Sequence, residues 1–193
     1  MSRFALSSPL IVFLLALAAY AFSAQVWSHA VSLAPHYVYL AYSLLQRHLD
    51  LVQLPPTTYD LLHFNGRWFV AGSPMPSIMM LPFVAIFGVG FSDVLFSVIV
   101  GSLDVALVYV LLGSFLRRPE RSPSGAESQD APRSSTSRRS AQSARLFIIS
   151  ESARRWITLL FALGTPFWYL ASLGTYWFTA HVVVVLFTLL ATR

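Results

Sequence analysis

The sequence contains no cysteine and no lysine, and it has few charged residues of either sign. Without cysteine, the chain can form neither a disulfide bond nor a thiolate metal site. All 13 basic residues are arginines, which we interpret as the base composition of a GC-rich genome. Only 11% of the residues are charged, whereas 56% are hydrophobic. Because a soluble domain carries roughly 25% charged residues, this composition predicts a protein embedded in a membrane.

The chain also lacks the short motifs by which many enzymes are recognised. It has no phosphate-binding glycine loop, no Gly-x-Ser-x-Gly and no His-Glu-x-x-His. Four of its five histidines precede residue 75, but their spacings share no helical face: His29, His36, His48 and His63. The sequence therefore predicts no metal ligands and no cofactor, although it leaves a divalent metal ion open.

Five stretches are long and apolar: Pro9–Trp27, Pro76–Gly90, Val94–Leu116, Trp156–Ala171 and Tyr176–Leu190. A backbone in hydrocarbon must satisfy its own hydrogen bonds, so each stretch predicts a helix that crosses a bilayer. The predicted fold class is all-α, a polytopic bundle of about five transmembrane segments. It forms a single membrane domain over residues 1–193, located in the inner or plasma membrane. The first stretch has features of a signal peptide, but its apolar run of about 19 residues favours an uncleaved helix.

Charge is concentrated in one part of the chain. Residues 117–155 hold nine arginines and four acidic residues, which accounts for the whole formal charge of +5. Because the Arg/Ser-rich part at 117–145 has low complexity, we expect a disordered loop there. A basic segment beside a membrane helix reports topology more often than it binds nucleic acid, so we expect no nucleic acid partner.

The topology contains a conflict that the sequence leaves open. Arg3 predicts a cytoplasmic N-terminus, which makes residues 28–75 an extracytoplasmic loop. If every apolar stretch then crosses, the basic loop also lies outside, against the positive-inside tendency. Either one short segment does not cross, or the basic loop is an exception.

The loop at 28–75 contains two recognisable elements. His36–Leu49 has apolar residues spaced along one helical face, which predicts either an amphipathic helix in the membrane interface or an ordinary packed surface helix. Farther on, Asn65-Gly66 lies between two strand-like flanks. Both residues tolerate positive φ, so they predict the turn of a small β-hairpin.

Two ionisable residues lie inside apolar stretches, Asp104 and His181. An acid in the middle of a transmembrane helix is costly and should face protein or water. Both residues are open to two interpretations, as parts of a substrate pathway or as hydrogen-bonded packing residues, and we favour packing.

Several runs of residues resemble the GT-C class of bacterial multi-spanning membrane glycosyltransferases, in particular its mannosyltransferase-like members. The similarity covers most of 28–193 apart from the Arg/Ser-rich loop. Its runs are His36–Ala41, Tyr59–Val70, Ser73–Phe83, Gly164–Tyr169 and Trp177–His181. The resemblance implies a bundle of many helices that transfers a sugar from a polyprenyl-phosphate donor at the extracytoplasmic face. The partners would then be the lipid bilayer and the lipid-linked sugar.

The extracytoplasmic loop contains the residue types that such a transfer needs. A carboxylate can take a proton from an acceptor hydroxyl, and an arginine can hold a phosphate with paired donors. As candidate catalytic residues we take Asp60 first, with Asp50 and His36 as further candidates. As candidate substrate-binding residues we take Arg67, Trp68 and Asn65.

Two other classes of function remain open. The first is a non-catalytic membrane protein, either a degenerate relative or an assembly partner. It is favoured because Pro35 and Tyr42 stand where GT-C relatives tend to carry acidic residues, and because the chain ends directly after an apolar run. From that ending we expect the N-terminal part of a larger bundle. The second is a transporter subunit, for which Asp104 and His181 would mark the pathway.

Overall fold

The computed structural model describes residues 9–28, 30–116 and 150–192, and it is mostly helical. His29 and the loop predicted to be disordered at 117–145 lie outside these residues. A 3₁₀ turn spans Gly88–Gly90. The elements are α1 Pro9–Ala24, α2 His36–Leu45, β1 Leu61–Phe64, β2 Arg67–Val70, α3 Met75–Phe87, α4 Asp93–Leu116, α5 Glu151–Leu163, α6 Phe167–Leu173 and α7 Tyr176–Ala191.

The helices differ in whether they are long enough to cross a membrane. Helix α4 is long and apolar enough over Asp93–Ser114, and α5 and α6 together also qualify as a pair bent by 48°. Helices α1, α3 and α7 are apolar but shorter, with 16, 13 and 16 residues. The prediction of a helical fold is confirmed, whereas the number of crossings stays a prediction.

Helix α4 lies at the centre of the fold and contacts α1, α5, α6 and α7. Gly101 lets α6 approach closely, because a Cβ at this position would lie 2.6 Å from Ala171 Cβ. On α1, the buried Tyr20 donates its hydroxyl to the carbonyl oxygen of Ala162 in α5 at 2.7 Å. Asp104 is fully buried in α4 and faces protein, as predicted, but neither of its carboxylate oxygens has a hydrogen-bonding partner among the described residues.

The apolar stretch predicted as one helix at Trp156–Ala171 is two helices. Helix α5 ends at Leu163, and α6 begins at Phe167 after Pro166, which has no N–H to continue the helical ladder. Helix α6 ends at Leu173, and the following Gly174 has a φ of 64°, the left-handed conformation that favours glycine. A Cβ on Gly174 would lie 2.5 Å from Val94 Cα, so the junction of α6 and α7 packs directly on the start of α4.

Several segments meet at one end of the bundle, which we call the loop end and define by Ser32, Asp93 and Tyr176. The carboxylate of Asp93 accepts hydrogen bonds from the backbone N–H of Ser32 at 2.9 Å and from the Ser32 hydroxyl. The backbone N–H of Tyr176 donates to the carbonyl oxygen of Ala34 at 3.2 Å. Ser92 caps α4 by accepting the N–H of Leu95 at 3.0 Å. Helices α4 and α7 therefore both begin at the loop end.

Helix α3 leaves the loop end and returns to it. Before α3, Gly72 faces the hydroxyls of Tyr37 and Tyr176. After α3, the 3₁₀ turn contacts α2, and α4 begins three residues later at Asp93. Helix α3 packs mainly on α2 and also contacts α7, and it does not run beside α4.

The β-hairpin is confirmed, and its register places Phe64 opposite Arg67 and Leu61 opposite Val70. Asn65 and Gly66 have φ of 49° and 75°, as a two-residue turn with both central residues at positive φ requires.

The predicted extent of the helix in the loop is wrong. It ends at Leu45 instead of Leu49, because the Ser43 hydroxyl accepts the N–H of Val52 at 3.0 Å and folds the following chain back. Leu45 and Leu49 are exposed, while His36 and Tyr37 are buried. Helix α2 therefore packs into the protein, and its predicted apolar face holds only in part.

Candidate functional site

Asp60 lies at the base of the hairpin, in the turn that leads into β1. Its side chain is exposed, and its φ is 64°. The carboxylate Oδ2 accepts a hydrogen bond from Trp177 Nε1 at 2.9 Å. Because Trp177 is the second residue of α7, this contact ties an exposed carboxylate of the loop to the start of a helix more than 100 positions later.

His36 is buried beneath this turn as the first residue of α2. Its Nε2 lies 2.6 Å from the Tyr59 carbonyl oxygen, which can only accept, so we assign the ring proton to Nε2. The other nitrogen, Nδ1, has no hydrogen-bonding partner among the described residues. Burial lowers the pKa of His36, although the Tyr59 carbonyl and the charge of Asp60 act in the opposite direction. The imidazole is therefore neutral at neutral pH, and through Tyr59 it supports the turn that holds Asp60.

Two buried tyrosines complete this cluster. The rings of Tyr37 and Tyr176 have centroids 4.8 Å apart, and the Tyr176 centroid lies 5.4 Å from that of His36. Their hydroxyls converge on Gly72, where a Cβ would overlap the Tyr176 hydroxyl and lie 2.8 Å from the Tyr37 hydroxyl. The hydroxyls interact electrostatically, but neither makes a hydrogen bond of good geometry with a described residue. Burial also raises the pKa of Tyr37.

Sequence reasoning missed Tyr37, Tyr176 and Trp177 as members of the site. The signal that could have found them is the Gly174-Thr175 helix start followed by two aromatic residues, since side chains at the first turn of a membrane helix often reach the interface. This sequence signal does not show that the rings lie against His36 and Asp60.

A second polar cluster lies elsewhere on the hairpin. Arg67 Nη1 lies 3.7 Å from Asp50 Oδ1, and His48 Nδ1 lies 3.4 Å from the same oxygen. Partial desolvation raises the pKa of Asp50, but its own backbone N–H, His48 and Arg67 outweigh this effect and lower it. The structure therefore brings Arg67 to Asp50.

Arg67 and Asp60 lie at opposite ends of the hairpin. Arg67 adjoins the turn at the level of Phe64, whereas Asp60 precedes Leu61 at the base, and the four residue steps from Asp60 to Phe64 correspond to about 13 Å. Of the other candidates, Asn65 forms the turn, and the Trp68 ring packs on that of His63 with centroids 4.7 Å apart and planes tilted by 43°. The backbone of Trp68 also accepts the N–H of Leu51 at 2.8 Å. The predicted catalytic and substrate-binding residues thus fall into two groups, Asp60 with His36 and Asp50 with Arg67.

An apolar groove of about 410 Å³ runs along α7, beginning at Ala180, one turn after Trp177. Ser73, Met75 and Pro76 line it, and α7 lines it from Ala180 to Ala191. The groove residues Ala180, Val184, Thr188 and Ala191 recur every three or four positions, and Trp177 lies one turn before them on the same face. The groove therefore leads along one helix face to the indole that holds Asp60.

Metal ligands do not converge within the part of the chain that the structure describes: no three His, Asp or Glu side chains there are placed to hold one ion. His181 lies on the surface of α7, and its Nδ1 is 2.6 Å from the carbonyl oxygen of Trp177 in the same helix. Comparison of the chain with protein families, characterised proteins and solved structures found no match.

Proposed function

We propose that this chain is a GT-C-like membrane glycosyltransferase that transfers a sugar from a polyprenyl-phosphate donor at the extracytoplasmic face of the inner membrane. One observation carries the proposal. Asp60 is an exposed carboxylate fixed by Trp177 at the head of an apolar groove on the same helix face. A reaction on a lipid-borne substrate requires this combination, because the chain of the lipid stays in the membrane while the polar head reaches a proton acceptor.

The proposed chemistry assigns roles to Asp60, His36 and Arg67. Asp60 takes the proton of the acceptor hydroxyl as its oxygen attacks the anomeric carbon of the sugar, and the polyprenyl phosphate leaves with the electrons of the broken bond. His36 positions the Tyr59-Asp60 turn and stays neutral. Arg67, whose side chain is 66% exposed, keeps donors available for the phosphate beside its contact with Asp50.

The hairpin provides the surface for the sugar in this proposal. Trp68 offers an aromatic face, and Asn65 at the turn offers amide donors and acceptors, as carbohydrate hydroxyls require. Because the phosphate joins the lipid to the anomeric carbon, the long side chain of Arg67 would extend from the turn toward Asp60 to reach it, with the lipid chain leaving toward the groove on α7.

The membrane arrangement that we propose has four crossings instead of about five. Helices α1, α4, the bent pair α5–α6, and α7 cross, while α3 stays with α2 at the extracytoplasmic side. This assignment is supported by the return of α3 to the loop end. It also removes the topology conflict, because the arginines after α4 then lie in the cytoplasm together with Arg3.

The test of the proposed function is the Asp60→Asn variant in membranes that contain a labelled polyprenyl-phosphate hexose. We expect sugar transfer to fall by about 10²- to 10⁴-fold, because the amide retains a hydrogen-bond acceptor for Trp177 but removes the base. Asp50→Asn is the matched control, since Asp50 pairs with Arg67 at the other group, and it should retain most of the activity. Undiminished transfer by Asp60→Asn would remove Asp60 from the mechanism.

A non-catalytic membrane protein is the second candidate, and one observation favours it. Both loop carboxylates have partners within the protein, Asp60 with Trp177 and Asp50 with Arg67, as purely structural residues would. If this candidate is right, the wild-type protein transfers no sugar, and Trp177→Phe and Asp60→Ala lower thermal stability to a similar degree, because each removes the same hydrogen bond.

A further inference from the structure

A second apolar groove lies between α1, α4 and α5, toward the end of the bundle opposite Asp60, and has a volume of about 290 Å³. Its apolar walls include Val12, Ala16 and Ala19 of α1 and Leu159, Ala162 and Leu163 of α5. Val12, Ala16 and Ala19 are four and three positions apart, and Leu159 precedes Ala162 and Leu163 by three and four positions, so each helix contributes one face. Leu159 and Leu163 are 46% and 49% exposed, so the groove is open to its surroundings.

Arg155 lies at the mouth of this groove. Its side chain is 50% exposed, and its one ion pair among the described residues places Nε 3.4 Å from Glu151 Oε1. Glu151 is shared, because its carboxylate also accepts from the Tyr109 hydroxyl at 3.1 Å and from Arg154 at 3.3 Å. The charge of Arg155 is therefore only partly neutralised.

The neighbouring Arg154 is engaged differently. It donates Nε to the Tyr109 carbonyl oxygen at 2.8 Å, and its guanidinium carbon lies 3.5 Å from the centroid of the Tyr109 ring. Its side chain is only 13% exposed. Arg154 thus connects α5 to α4, whereas Arg155 projects toward the groove.

The dimensions of the groove suit one hydrocarbon chain. From Arg155 to Leu163 the groove follows eight residues of α5, about 12 Å. A volume of about 290 Å³ over that length gives a cross-section of about 24 Å². A helix is about 10 Å across and does not fit.

We propose that this groove binds an anionic phospholipid of the inner leaflet, with one acyl chain between α1 and α5 and the phosphate against Arg155. The proposal rests on the four-crossing arrangement, which places the start of α5 at the cytoplasmic interface. Basic side chains between helices at that level attract anionic head groups, and a guanidinium holds a phosphate through paired donors. The Arg155 stem lies along apolar surface while its charge reaches the head groups.

The test is native mass spectrometry of the full chain purified in detergent, with phosphatidylglycerol and phosphatidylcholine added in equal amounts. We expect the wild type to retain phosphatidylglycerol preferentially. Arg155→Gln should lower that retention about fivefold, as expected for one arginine near an anionic surface, and leave phosphatidylcholine unchanged. Ala19→Leu fills the groove and should reduce both lipids.

Two further variants make the result specific. Glu151→Gln should raise phosphatidylglycerol retention, because it frees Arg155 from its partner. Arg47→Gln, at an exposed position just after α2, should leave retention unchanged. Equal retention of both lipids by the wild type, or an unchanged preference in Arg155→Gln, would overturn the proposal. If the chain stays in the aqueous phase without detergent, the membrane arrangement itself fails, and that result is distinguishable from a lost lipid preference.

Discussion

At the scale of single residues, the loop end concentrates polar atoms that packing leaves unpaired. His36 Nδ1 and the hydroxyls of Tyr37 and Tyr176 are all buried without a hydrogen bond to the described residues. Each such atom costs about 1–3 kcal/mol when it is left unsatisfied. The two hydroxyls face Gly72 and the His36 ring lies against that of Tyr176, so these atoms are a local weakness of the fold. Buried polar atoms without partners often mark sites that bind water or an ion.

The pKa of His36 leads to a prediction about pH. Because burial lowers this pKa in the folded state, the unfolded chain binds a proton at a higher pH than the folded protein does. Stability should therefore be constant above the unfolded pKa of about 6.5 and decrease as the pH falls below it. Thermal unfolding in detergent between pH 8 and pH 5 measures this decrease.

His36→Gln should weaken this pH dependence, because glutamine does not titrate. His63→Gln is the control for replacing a histidine, since His63 lies on the exposed hairpin outside the buried cluster. A wild-type stability that rises on acidification would contradict the assigned neutral state of His36.

At the scale of elements, the sequence predicts those turns and helix ends that depend only on neighbouring residues. The Asn65-Gly66 hairpin was predictable because its turn requires two residues that accept positive φ, and both are adjacent in sequence. The end of α2 was not, because it depends on Val52 returning to Ser43. The break between α5 and α6 carried a signal in Gly164 and Pro166, but the continuous apolar run masked it. The packing of α3 on α2 likewise depends on contacts between residues distant in sequence.

The junction between α6 and α7 leads to a prediction about glycines. Gly174→Ala should destabilise the protein by about 1–2 kcal/mol through left-handed strain and by about 1–3 kcal/mol more through its clash with Val94. Gly66→Ala, at a φ of 75° with open space around it, should show the strain alone. Gly90→Ala has neither a positive φ nor a neighbour within 4 Å and should be nearly neutral.

Thermal unfolding of the three variants in one detergent gives the order of their stabilities. Equal stability of Gly174→Ala and Gly66→Ala would mean that the α6–α7 junction does not pack on α4.

At the scale of the whole molecule, the candidate site joins segments far apart in the chain. Asp60 and His36 could be proposed from sequence because both lie in one polar loop between apolar stretches. Trp177 and Tyr176 could not be assigned to them, because nothing local relates the start of α7 to that loop. The bundle brings them together, because α4 contacts the loop through Asp93 and the α6–α7 junction through Val94.

The proposed four-crossing topology can be tested directly because the chain has no cysteine. We expect Asn65→Cys and Gly90→Cys to react with a membrane-impermeant maleimide from the extracytoplasmic side, because both ends of α3 lie at the loop end. Ser124→Cys, in the arginine-rich segment beyond α4, should react only after the membrane is opened. Each variant can be compared with the unmodified chain, which has no thiol to label. If α3 crosses instead, Asn65 and Ser124 react from the same side while Gly90 is protected, and both the four-crossing arrangement and the cytoplasmic position of Arg155 fail.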